Sequence, residues 1–269
     1  MPPQLPPETL DLIVDNLSDE PTTLNACCAL SKSWVTRTRR HLFHRIEFSS
    51  KIPIGLWTET FPDPSNSPAH YTRVLLLYGL TTIAAAGTHA LPWVHSFDQI
   101  VELQVNTTVF LDYNDVSLAS LRGLSPTLKS LSLSCASIPL SKLLNLICSF
   151  PLLQDLGLRL FFPTDDPAAD GWEAPSNSPS LTGSLHLSGE IRSVTRQLLD
   201  LPNGLHLAKI TMACRIELAD SARDLLLKCS DTLESLDFSF YSSSAFSPAC
   251  VVDQYLNTTH GPRESASSV

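Results

Sequence analysis

The sequence predicts an α/β protein in which a short group of helices precedes a long stack of parallel strands. Three observations predict this. Apolar residues recur at helical spacing before residue 45. From Phe43 onward a different motif returns, apolar-x-x-apolar-x-apolar, at steady intervals of 25 to 29 residues. Between its copies lie stretches that are either helix-spaced or too rich in proline and serine for a helix.

The helices come first. Leu10, Ile13 and Leu17 stand at helical spacing, and Leu24, Cys27 and Leu30 repeat it after the polar break Ser18-Asp19-Glu20-Pro21. Pro6 and Pro7 suit a helix start, with Glu8 and Asp11 near the positive end of the helix dipole. A third stretch, from about Trp34 to Phe43, ends in Arg39, Arg40 and His41, which favour the negative end. So short a unit cannot enclose a core alone. The rest of the chain, or a partner, must complete it.

The repeat follows. Its copies are Phe43-Ile46-Phe48, Tyr71-Val74-Leu76, Ile100-Leu103-Val105 and Leu128-Leu131-Leu133. Then come Leu153-Leu156-Leu158, a looser Leu181-Leu185-Leu187, Leu207-Ile210-Met212 and Leu233-Leu236-Phe238. The spacing predicts one short strand per copy, with two apolar residues turned inward at period 2. No copy can bury its own apolar face, so stacking makes the core. Three connections read as helices: Leu140, Leu143, Leu144 and Ile147; Val194, Leu198 and Leu199; and Ala222, Leu225, Leu226 and Cys229. Two segments break the rhythm. Residues 62–68 form a turn-rich loop, and Pro163 to Pro179 forms a longer one carrying Asp165, Asp166, Asp170, Trp172 and Glu173. Beyond Tyr241 the chain is serine-rich and reads as loose.

Bulk properties narrow the function classes. A net charge of −9 over 269 residues argues against nucleic acid as the main partner. The basic run of Lys32, Arg37, Arg39, Arg40 and Arg45 reads as a solvated helix face. The start is Pro-rich and acidic, unlike a signal peptide, and no apolar run approaches the roughly 20 residues of a membrane span. Seven cysteines without a Cys-x-x-Cys pair read as reduced thiols, which places the chain in the cytoplasm or nucleus. No phosphate loop, nucleophile elbow or His-Glu-x-x-His motif occurs, and neither a metal nor a cofactor is expected. A parallel β-helix hydrolase would need paired carboxylates on adjacent strands. The outward strand residues Glu102, Gln104, Asp155, Arg159, His186, Lys209 and Asp237 are instead scattered singly among serines. A non-enzymatic protein-binding surface fits them better, with Glu102, Gln104, Asp155, Arg159, His186 and Lys209 as its target-contacting residues.

Leu5-Pro6 with Glu8, the spaced Leu10, Ile13 and Leu17, and the block Leu30-Ser31-Lys32-Ser33-Trp34 before Leu42-Phe43 together resemble an F-box. The repeat resembles a degenerate leucine-rich repeat, without the Asn or Cys that relatives place after the third apolar position. These resemblances imply residues 1–45 as an F-box-like module, 46–245 as an irregular leucine-rich-repeat-like solenoid with a parallel sheet, and 246–269 as a flexible tail. They further imply a substrate-recognition subunit of a Skp-cullin-F-box ubiquitin ligase. Leu5, Pro6, Leu10, Ile13, Leu17, Leu24, Leu30 and Trp34 would meet the Skp-type adaptor or pack the module. The adaptor would link the chain to a cullin, and the repeats would bind an unknown target protein for ubiquitin-dependent degradation. The alternative is a non-catalytic, repeat-built scaffold acting outside a ligase.

Overall fold

The computed structural model describes residues 6–49, 52, 54–78, 95–107, 121–124, 126–135, 138–160, 171–215 and 219–241. Leu5, the acidic residues Asp165, Asp166 and Asp170, and the tail from residue 246 lie outside the described residues.

The architecture is α/β. Three helices open it: α1 (Pro7–Asp15), α2 (Pro21–Leu30) and α3 (Lys32–Leu42). Pro7 occupies the first turn of α1, and the Ser31 hydroxyl caps α3 by accepting from the Ser33 N–H at 3.3 Å. There follow β1 (Arg45–Phe48), α4 (Ile54–Thr60), β2 (Val74–Tyr78), β3 (Glu102–Thr107) and β4 (Ser130–Cys135). Next are α5 (Leu140–Ile147), β5 (Asp155–Leu160), β6 (Ser184–Gly189), α6 (Arg192–Leu199), β7 (Lys209–Arg215), α7 (Ala219–Cys229) and β8 (Ser235–Tyr241). Among the described residues the strands form one eight-stranded sheet, all parallel, in the order β1 to β8.

That order never reverses. Parallel crossovers are right-handed, so a sheet growing in one direction receives all its connections on one side. A doubly wound sheet reverses, covers both faces and opens a ligand crevice at the reversal; this one has no such point. Inward strand residues such as Leu103, Leu131, Leu156, Leu185 and Ile210 therefore share one core with Leu143, Leu144 and Ile147 of α5 and Leu198 of α6. Each fully buried leucine of that core contributes about 1.5–3 kcal/mol. The other sheet face carries serines, glycine and scattered charges.

The expected strand positions hold with one slip, and at β8 the expected inward Leu236 is exposed because no further strand or helix among the described residues closes over it. In β2 the register pairs Ile46 with Leu75 and Leu75 with Leu103, so the copy is Thr72-Leu75-Leu77 and not Tyr71-Val74-Leu76. The run Val74-Leu75-Leu76-Leu77 is apolar at both parities, so period 2 alone cannot choose between faces. The backbone chooses. The carbonyl of His44 accepts from both Arg73 N–H (2.8 Å) and Val74 N–H (3.0 Å). The same forked bond recurs at the carbonyls of Arg73, Val101, Lys129, Gly183 and Ala208, each accepting from two consecutive N–H groups at the entry of the next strand. This backbone ladder pins the register without a side-chain ladder. The loose copy at Leu181–Leu187 is also in register, through Leu185.

The three expected helical connections are α5, α6 and α7. Helix α4 was not expected. Ile54, Trp57 and Phe61 stand at i, i+3 and i+7, and Trp57 packs among Phe43, Phe48, Phe61 and Phe97, with centroids 4.7–6.2 Å apart. This aromatic group covers the β1 end of the core. In the long loop, Trp172 packs on the core and donates its indole N–H to Asn145 Oδ1 at 3.0 Å, so its ring serves the fold.

Candidate functional site

Two surfaces stand out, one on the helices and one on the sheet. The helical unit has its own small buried set, Val14, Leu24, Cys27 and Thr38, outside the main core. Its orientation is set by charge. Arg37 of α3 donates to Asp15 Oδ1 and to Asp11 Oδ2, both at 2.8 Å, and its second terminal nitrogen bonds Asp15 Oδ2. His41, one turn further on, bonds Asp15 Oδ1 through Nε2 at 2.8 Å. Arg37 and His41 together hold the Asp15 carboxyl far below the ordinary carboxylate range. Arg37 is thus committed to α1 and is no solvated face, a correction to the reading of the basic run. His41 is committed likewise.

This clamp turns the Asp11–Asp15 edge of α1 toward α3 and carries Val14 inward with it. The opposite face of α1 bears Leu12 (62% exposed) and Ile13 (41% exposed), and the end of α2 bears Leu30 (75% exposed). Of the residues expected at an adaptor contact, Pro6, Ile13 and Leu30 are exposed, while Leu10, Leu17 and Trp34 are half-buried. Leu24 is internal and supports the unit from within. Leu12 was missed, because it falls outside the 10–13–17 spacing.

The outward sheet face places all six expected target-contacting residues on one side, in two groups. On β3, Gln104 donates to Glu102 at 2.8 Å, which gathers that pair onto itself. Two strands away Asp155 accepts from both the backbone N–H and the hydroxyl of Ser184, each at 2.7 Å. A Cβ on Gly183 would sit 2.4 Å from Asp155 Oδ1, so glycine there lets the carboxylate close on β6. Asp155 therefore brackets β5 and β6 through Oδ1 while standing half-exposed on the same outward face. The second group surrounds His186. Desolvation and the Arg159 guanidinium lower its pKa, Lys209 adds to this, and Asp237 on β8 opposes it. Arg159 on β5 and Lys209 on β7 thus flank His186 with positive charge, which favours its neutral form. Between the groups runs the low floor of Ser130, Ser132, Ser134 and Gly157.

No family model matches the chain, and no curated protein does. The surfaces must therefore be judged on their own chemistry. Buried thiols offer little: burial pushes Cys135 up to about 12 and raises Cys148 and Cys229, so these thiols are poor nucleophiles. No described helix is long and apolar enough to cross a membrane.

Proposed function

We propose that this chain is the target-binding receptor of a Skp-cullin-F-box ubiquitin ligase, with an F-box-like unit over 1–45 and a leucine-rich-repeat-like solenoid over 46–245. The observation that carries the reading is the exposure of Leu12, Ile13 and Leu30 on a helical unit that already has its own buried set. Large aliphatics gathered on one small unit support a surface that a partner covers, although single exposed leucines also occur on the sheet body at Leu152 and Leu227. The Skp-type adaptor is that partner, and it brings a cullin. The outward face of β3–β7 receives the target, whose acidic side chains meet Arg159 and Lys209, with the neutral His186 imidazole between them for hydrogen bonding.

The chain performs no bond chemistry in this reading. It holds the target near a ubiquitin-loaded enzyme and raises its effective concentration there. A direct test is the double substitution Leu12→Asp with Ile13→Asp. Both side chains are exposed, so the helical circular dichroism should persist while adaptor affinity, measured by calorimetry, falls at least about a hundredfold. Unchanged affinity contradicts the assignment.

A further inference from the structure

A recess outside both surfaces opens where α3 meets the starts of β1, β2 and β3. It encloses about 600 Å³. Arg40 and His44 enter it from the end of α3 and the turn into β1; His70, Tyr71 and Arg73 come from the approach to β2. A neighbouring recess of about 470 Å³ shares His70 and Asp98 with it and adds His95. In a chain of net charge −9, two guanidiniums and three imidazoles converge here against the one carboxylate of Asp98.

Bonds to the strand entries hold part of the wall. The forked backbone bonds from Arg73 and Val74 to the His44 carbonyl join the first two strand entries. Arg73 donates from one terminal nitrogen to the Gln99 carbonyl (2.9 Å) and to Gln99 Oε1 (3.0 Å), which holds its guanidinium against the entry to β3. His70 Nδ1 lies 2.9 Å from the Ser67 carbonyl. A carbonyl only accepts, so the proton sits on Nδ1, and Nε2 remains for another partner. The Tyr71 ring lies beside the His70 ring, with centroids 3.9 Å apart. Among the described residues His44, His70, His95 and Asp98 do not converge as metal ligands. An anion fits the charge where a cation does not.

We propose that this recess binds a small ligand carrying a phosphate-type dianion. Arg40 and Arg73 neutralise the anion through charge-assisted hydrogen bonds, and the imidazoles supply further ring N–H donors. The volume exceeds the bare ion, so an organic remainder has room beside Tyr71. A ligand seated there touches α3 and three strand entries together, and so ties the helical unit to the sheet. This site does not depend on the adaptor reading.

The test is calorimetric titration of the full chain with inorganic phosphate, inorganic sulfate and glycerol phosphate at constant ionic strength. Saturable one-to-one phosphate binding is expected, with a Kd of about 1 mM or tighter. Arg40→Gln should weaken it about tenfold, while Arg196→Gln, on the exposed side of α6, should not change it. Sulfate, a dianion of similar size and shape, should compete with phosphate for the same site. Tighter binding of glycerol phosphate than of phosphate identifies a phosphomonoester as the ligand; equal binding identifies the free ion. Absence of saturable binding overturns the site, as does binding that Arg40→Gln and His44→Gln both leave intact in folded protein.

Discussion

The helical unit and the sheet solve the same problem in opposite ways. In the sheet each strand finds its neighbour in the next stretch of the same chain, and inward leucines are closed over by α5, α6 and α7. In the helical unit only a few side chains are buried, the helices are set by the Asp11–Arg37–Asp15–His41 clamp, and Leu12, Ile13 and Leu30 remain outside. The sheet body buries a continuous core, although Leu152, Leu227, Leu236 and Phe240 stay exposed on it. The unit buries far less and leaves Leu12, Ile13 and Leu30 outside, which supports a partner laid against it. That contrast is the reason for assigning the unit to a constant partner and the sheet face to a variable one.

The contrast can be broken most forcefully from the sheet side. Leu158, fully buried at the centre of β5, should cost about 2–5 kcal/mol when changed to Ala, read as a lower urea midpoint for the whole chain. A loss confined to a small fraction of the unfolding amplitude would show that the sheet is not one cooperative body. Asp15→Asn acts on the other region. It should weaken adaptor binding and loosen the helical signal while leaving the sheet's unfolding midpoint in place. Its pH signature has a fixed sign. The Asp15 carboxyl is held below its ordinary value of 3.8, so the clamp stabilises fully above that pH and is lost as the folded carboxyl protonates below it. Wild type and Asp15→Asn should therefore differ at neutral pH, with the gap narrowing as pH falls below 3.8 in acid titrations followed by circular dichroism; a gap that stays constant down to about pH 2 contradicts the clamp. The smallest effect belongs to Thr72, which occupies an apolar repeat position with its hydroxyl buried and without a hydrogen-bond partner. Thr72→Val should raise stability by about 1 kcal/mol, measured by urea denaturation.

Regions also differ in how far the sequence revealed them. Seven of the eight strand positions could be read from the interval alone, because a leucine such as Leu131 or Leu156 alternates with serine, glycine or charge. The β2 slip arose where that alternation fails, in four consecutive apolar residues. Helix α4 was hidden by its shortness, although Ile54, Trp57 and Phe61 carried its spacing. The clamp was legible in outline: Asp11 and Asp15 stand four apart on one helix, and Arg37 and His41 four apart on another. Nothing local says that two such pairs will meet. Asp155 shows the converse limit, since its partner Ser184 lies in the next strand and only the register brings them together.

The most direct measurement is co-expression of the chain with a Skp-type adaptor, followed by size-exclusion chromatography of the purified material. The account predicts a stable one-to-one complex that disappears when residues 1–45 are removed, while the remaining sheet still elutes as a folded species. A soluble chain that ignores the adaptor, or a complex that survives the truncation, would contradict it.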